Sequence, residues 1–306
     1  MDSLDRRRFL GTSAALAATT GALGTATADD AAAATTEVPR PPATKLGNTG
    51  ITMSRLGQGT GVHGGNRQSN QTRMGFDELV SLFKHSYERG ITFFDLADLY
   101  GTHLYFREAL RTIPRDEVTI LTKVWWRYDG DEKKTSEPHR RQIVNSTIER
   151  FRHELTTDHL DMVLLHCLMD ADWAAKMTPY TDALQEHKSK GRIKALGVSC
   201  HDFGALKTAA ALPWVDVILA RINPQSVKMD ASTDEVVPVL LQAKQNGKAI
   251  IGMKIFGEGT LVDQRDACMK FAQGLDFLDA MTIGFEKPEH VDDTLRLMAK
   301  YPAAAS

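Results

Sequence analysis

At 306 residues, with 42% hydrophobic and 25% charged side chains, the chain can bury a sizeable core, which excludes a disordered, collagenous or disulfide-stapled polypeptide. Thirty-seven Lys and Arg against 39 Asp and Glu give a formal charge of −2, so no basic excess gives a reason to expect nucleic acid. The three cysteines, Cys167, Cys200 and Cys268, are odd in number and lack CxxC spacing, which points away from a disulfide framework or a cysteine-zinc site.

The chain opens with Asp5-Arg6-Arg7-Arg8-Phe9-Leu10, a mild apolar run, and Ala26-Thr27-Ala28 before Asp29-Asp30. A charged n-region, an h-region and an A-x-A site in that order read as an export signal, and the paired arginines before Phe9 and Leu10 resemble the bacterial twin-arginine type. Residues 1–28 are therefore expected to be removed and the mature protein to be periplasmic. The apolar run holds Ser and Thr and falls short of the roughly 20 residues a spanning helix needs, so no stable membrane span is expected in the mature protein. Residues 29–44, rich in Ala, Thr and Pro, read as a flexible linker, and the folded unit is expected over 45–306.

From Lys45 to Gly57 the pattern is a short hairpin turning at Asn48-Thr49-Gly50 and a strand leading to Gly57 and Gly59. Apolar or β-branched runs then recur at Ile91–Asp95, Val118–Lys123, Met162–His166, Ile193–Ser199, Val215–Ile222, Ala249–Ile255 and Met281–Gly284. Amphipathic stretches lie between them, among them Phe76–Arg89, His139–Leu155, Tyr180–Lys190, Val236–Asn246 and Pro288–Lys300. Several close on glycine after a basic or polar turn, at Gly90, Gly191 and Gly247. Counting the run near Arg55–Gln58, eight strands each followed by a helix predict an α/β fold, a (β/α)8 TIM barrel with a short N-terminal β-hairpin. A doubly wound sheet would need a GxGxxG turn after the first strand. The glycines from Gly57 to Gly65 open no helix in that way.

In such a barrel the C-terminal strand ends converge on one mouth. The second barrel strand closes on Asp95 and is followed by Tyr100, the third ends at Lys123 and the fourth at His166. Singly, each has an ordinary reading as cap, core residue or satisfied histidine. Together they supply a proton donor, a cation to lower its pKa, a carboxylate to hold that cation, and an imidazole to orient a carbonyl. Asp98 is a rival carboxylate whose plain reading is a solvated loop, and His103 is expected to begin a helix. His63 lies at the predicted mouth, and Trp125 and Trp126, if not ordinary loop packing, would give a substrate an apolar wall, including a stacking face for a sugar ring.

The motif Gly90-Ile-Thr-Phe-Phe-Asp95-Leu-Ala-Asp-Leu-Tyr100-Gly, the segment Thr119-Ile-Leu-Thr-Lys123 and the segment Asp161-Met-Val-Leu-Leu-His166 resemble the aldo-keto reductase family, as do Ser54-Arg-Leu-Gly-Gln-Gly-Thr60 and Ile193-Lys-Ala-Leu-Gly-Val-Ser199. The likeness runs from about Lys45 to Lys300. It implies that Tyr100 is the general acid or base, that Lys123 favours its phenolate, that Asp95 pairs with Lys123, and that His166 holds the substrate oxygen beside a nicotinamide cofactor. The substrate would be a small aldehyde, ketone or sugar, met by His63, Trp125 and Trp126. No metal is called for.

On the same grounds the cofactor would be met by Gly59, Thr60, Ser199, Cys200, Arg221, Met253, Lys254, Lys287 and His290. Here the chain departs from the family. Cys200 stands where Asn is common, Arg221 or Asn223 where Gln is, and Met253 where an aromatic ring often stacks. After the eighth strand, Gly284, Phe285, His290 and Thr294 occupy places where NADPH-dependent members carry Lys-Ser, Arg and Asn. Lys287 and His290 at the last helix remain to meet a phosphate. The family leaves NADP ahead, with NAD possible. The altered grip also motivates an alternative, a barrel that binds a nicotinamide or a partner without catalysis. A metal-dependent isomerase would need Glu, Asp and His at several strand ends, where Ser199, Asn223, Lys254 and Gly284 stand instead.

Overall fold

The computed structural model describes residues 37–129 and 135–303, so the expected signal segment over 1–28 and the first half of the expected linker, 29–36, lie outside the described residues. The hairpin pairs β1 (Ala43–Lys45) with β2 (Thr52–Ser54), antiparallel. Its turn is tied by the Thr49 hydroxyl, which donates to Leu46 O at 2.6 Å. Packing begins before Lys45, because Val38 lies against the core and the Arg40 guanidinium donates to Glu88 O at 3.4 Å.

Eight parallel strands follow: β3 (Leu56–Gly59), β4 (Phe93–Asp95), β5 (Thr119–Val124), β6 (Leu160–Leu168), β7 (Ile193–Cys200), β8 (Val217–Arg221), β9 (Ala249–Met253) and β10 (Ala280–Gly284). They close in the order β10-β3-β4-β5-β6-β7-β8-β9. The helices are α1 (Asn70–Arg73), α2 (Phe76–Glu88), α3 (His103–Ala109), α4 (Glu137–Leu155), α5 (Trp173–Lys176), α6 (Thr178–Ser189), α7 (Phe203–Ala211), α8 (Thr233–Gln245), α9 (Arg265–Gly274) and α10 (Pro288–Lys300). The barrel and its hairpin are those the sequence predicts. No helix among the described residues is long and apolar enough to cross a membrane.

The period of two along each strand divides the core. Inward side chains, among them Phe93, Leu121, Met162, Leu164, Leu219 and Ile251, fill the barrel, and the hairpin's Leu46, Ile51 and Met53 pack with them. Outward side chains meet the apolar stripes of the helices. There the rings of Phe83, Phe94 and Phe106 interlock with centroids 4.6 to 5.8 Å apart. Helices α2, α6 and α8 stop where the chain needs a left-handed residue, and Gly90, Gly191 and Gly247 supply it at φ of 88°, 71° and 82°.

Candidate active site

The same alternation decides which strand-end residues face the mouth. On β4, β5, β6 and β7 the inward phase runs from Phe93 to Asp95, from Leu121 to Lys123, from Leu164 to His166 and from Ala195 to Ser199. Register sets Gly59 opposite Asp95 and Gly284, and Arg221 opposite Met253.

Asp95, Tyr100, Lys123 and His166 meet at one place. The Lys123 ammonium, 1% exposed, donates to Asp95 Oδ1 and, at 3.0 Å, to Leu96 O. Its nitrogen lies 4.7 Å from the centre of the Tyr100 ring. On the other side, Tyr100 Oη is 3.3 Å from His166 Nε2, with the rings edge to face. Glycine makes room for the phenol: a Cβ at Gly61 or Gly64 would come within 2.3 and 2.5 Å of Tyr100 ring atoms. The glycine run after β3 therefore admits a ring.

Burial dominates the titration of this cluster. It holds the Tyr100 phenol well above its ordinary value, and the negative charge of Asp95 adds to the effect. In the free site the loss of water and the nearby carboxylate set this direction, whereas the family resemblance implies that Lys123 favours the phenolate. Burial likewise lowers the Lys123 ammonium, against the attraction of Asp95. It puts His166 well below the usual imidazole range, with Lys123 adding to the shift, so the ring is neutral at neutral pH. His166 Nδ1 has no hydrogen-bond partner among the described residues.

Beside this cluster runs a groove of about 290 Å³ lined by Gly59, Gly61, Asp95 and Tyr100 together with Met253, Lys254, Thr282 and Gly284. The loop Ile255–Val262 and the start of α10, with Glu286 and His290, complete it. Lys254 pairs with Glu258 at 2.5 Å, and both sit at positive φ. Exposed His63 stands near enough to Glu258 to help lower its carboxyl, but it does not line the groove. Trp125 and Trp126 are half-buried beside His166: the Trp125 ring centre is 5.9 Å from the imidazole, and Trp126 Nε1 donates to His166 O at 2.9 Å.

Several other expected cofactor contacts have partners within the protein. The Thr60 hydroxyl donates to Asp95 O at 2.8 Å and meets Thr102 Oγ1 at 3.2 Å. Ser199 Oγ accepts from Cys167 N at 3.0 Å. Cys200, one residue out of the inward phase, is wholly buried in the layer between barrel and helices, so its side chain does not reach the mouth. Arg221 faces Asp230 at 3.3 Å. Asn223 is spent on its own loop, accepting from Gln225 N and Val227 N and donating to Val227 O and Lys254 O. Lys287 is exposed at the N-cap of α10 and does not line the groove.

Asp98 is the clearest departure from the sequence reading. It is wholly buried rather than solvated, accepting two bonds from Arg150 at 2.7 and 2.9 Å and one from Arg67 at 2.8 Å. Arg150 and Arg67 both reach on to Glu154, which holds His103 Nδ1 at 2.7 Å, while His103 Nε2 meets Thr122 Oγ1 at 2.8 Å. The network clamps the turn that carries Tyr100 onto α4 and β5.

Burial would raise the Glu154 carboxyl, but His103 and Arg150 outweigh it and bring it down to about 2 from 4.5. A depressed carboxyl stabilises the fold above its unfolded value and loses that contribution as pH falls toward the folded one, here roughly 2 kcal/mol after allowing for partial exposure. Glu154→Gln is therefore expected to flatten the fall in stability between pH 4.5 and 2, read by denaturant unfolding. An unchanged acid slope would contradict this assignment.

The sequence model of one family, described as "Aldo/keto reductase family", matches residues 55–301. A Glycine max protein named "Probable aldo-keto reductase 1" is 30% identical over 221 residues, 70% of this chain and 59% of that one. The "NADH-specific methylglyoxal reductase" of Escherichia coli (strain K12) is 26% identical over 207 residues, 63% of this chain and 62% of that one. The chain thus spans about three fifths of the length of these relatives. A solved aldo-keto reductase from Bacillus halodurans, in holo form, superposes with a TM-score of 0.67 at 16% identity, covering 87% of this chain and 93% of that one, a likeness of fold.

Proposed function

This chain belongs to the aldo/keto reductase family, and from that membership we propose that it is a nicotinamide-dependent oxidoreductase interconverting a carbonyl and an alcohol on a small aldehyde, ketone or sugar. The observation that carries the reading is the line of Asp95, Lys123, Tyr100 and His166 beside a groove that Asp95 and Tyr100 help to line. Relatives named for methylglyoxal reduction and for D-threo-aldose dehydrogenation support a small carbonyl or a sugar as substrate.

The groove suits a dinucleotide on its own features. Gly59 and Gly284 keep its floor flat, since a Cβ at either would clash with Thr282 Oγ1 at 2.9 Å or Val62 at 2.3 Å, and the Thr282 hydroxyl is buried without a partner among the described residues. Gly59, Met253, Lys254, Thr282, Gly284 and His290 would hold it. A bound nicotinamide supplies the two electrons of the interconversion.

The chain's own residues handle the proton. A carbonyl oxygen seated between Tyr100 Oη and His166 Nε2 receives hydrogen bonds from both, and the neutral imidazole orients it without competing for a proton. As charge grows on that oxygen, Tyr100 passes it its phenolic proton, and the phenolate left behind faces the Lys123 ammonium. Asp95 keeps that ammonium in place. The test is carbonyl-dependent loss of reduced nicotinamide absorbance across a panel of small aldehydes, ketones and sugars, with the Tyr100 variant discussed below as control.

The N-terminal arginine pattern supports a periplasmic location, reached by folded export with the cofactor already bound. Replacing Arg6 and Arg7 with Lys is expected to leave the protein in the cytoplasm on cell fractionation; unchanged export would reject that address.

A further inference from the structure

Resting on the dinucleotide reading above, we infer that Glu286 makes the groove selective for NAD(H) over NADP(H), reversing the order the family resemblance suggests. The two differ by one phosphate on the adenosine ribose. Gly59 and Asp95 beside Tyr100 are buried, whereas Glu286 is half-buried and His290 exposed, so a dinucleotide with its redox end against Tyr100 would leave its adenosine ribose toward Glu286 and His290.

The charges of the groove are unevenly placed. On one wall Glu258 is neutralised by Lys254 at 2.5 Å, with His63 and Lys228 close enough to help lower its carboxyl. At the buried end Asp95 is neutralised by Lys123. At the α10 end Glu286 meets the neutral Asn70 amide, whose Nδ2 donates to Glu286 Oε1 at 2.9 Å. No arginine lines the groove among the described residues, and its one lysine is Lys254. Arg73, exposed, donates to the other end of the Asn70 amide, at 3.4 Å from Oδ1, and makes no ion pair with Glu286 among the described residues. The first turn of α10 carries a further carboxylate, Glu289.

A fixed carboxylate does two opposite things to the two ligands. It accepts hydrogen bonds from the vicinal ribose hydroxyls of NAD, a use of Asp or Glu common to dinucleotide sites. It repels the dianionic phosphate that replaces one of those hydroxyls in NADP, with no bidentate arginine to offset the repulsion.

The experiment is a fluorescence titration of the full chain with NADH and with NADPH, repeated on Glu286→Gln and Glu286→Arg, with circular dichroism confirming the fold of each. Wild type is expected to bind NADH about ten-fold tighter than NADPH or better. Glu286→Gln should narrow the gap by tightening NADPH, and Glu286→Arg should narrow it further. Equal or tighter NADPH binding by wild type, or a ratio unchanged in Glu286→Gln, overturns the inference while leaving the dinucleotide reading standing. Binding of neither cofactor by the folded chain overturns both.

Discussion

Tyr100→Phe is expected to lower carbonyl turnover about 100- to 10,000-fold, the range that a positioned general acid supplies, while dinucleotide affinity and melting temperature stay close to wild type. The substitution removes one oxygen and keeps the ring. The packing of that ring against Gly61 and Gly64 and its face toward Lys123 therefore persist. What goes is the group 3.3 Å from His166 Nε2 that would protonate the substrate oxygen. The loss should fall on kcat more than on KM, because the proton is needed in the transition state rather than for binding. A barrel that merely binds a nicotinamide or a partner would show no catalysis to lose, so the variant separates the two function classes. A variant that turned over carbonyls at the wild-type rate would remove Tyr100 from the mechanism.

The second large effect is on stability. Asp98→Ala is expected to cost about 3–5 kcal/mol, because it strips a buried carboxylate from two guanidinium groups that remain close by. In a domain of this size the melting temperature should fall by about 10 °C. Activity should fall with it, since Asp98 and Tyr100 share one short turn, in which Tyr100 N donates to Ala97 O at 3.1 Å. Asp98→Asn, which keeps the shape and one acceptor, should lose less on both counts. An Asp98→Ala protein as stable as wild type would contradict the clamp described above.

Most of the fold was legible because each strand announces itself as a short apolar run and each helix by its stripe and its closing glycine. The four central residues were legible for a related reason: each ends or follows an apolar strand, and the inward phase brings them to one mouth. Cys200 fails by that same rule. Ser199 holds the inward position, so its neighbour must point outward into the helical layer, and counting in twos from Ala195 separates them. Asp98 could not be read this way. Its partners Arg67 and Arg150 stand 31 and 52 positions away in sequence, and nothing local distinguishes a carboxylate clamped by two guanidiniums from one in water. Glu286 was hidden similarly, since Asn70, which orients it, is 216 positions away. The neighbours of Tyr100 are visible in sequence, whereas the burial that dominates its shift in the free site is not.

The central claim is that this groove holds a nicotinamide against Tyr100, and the most direct measurement is energy transfer from tryptophan to reduced nicotinamide as NADH is added to the folded full chain. Trp125, its ring 5.9 Å from the His166 imidazole, is well placed as a donor. The account predicts saturable transfer at one site per chain, reduced when Trp125 is replaced by Phe. A folded protein that shows no saturable signal with NADH or NADPH would contradict it.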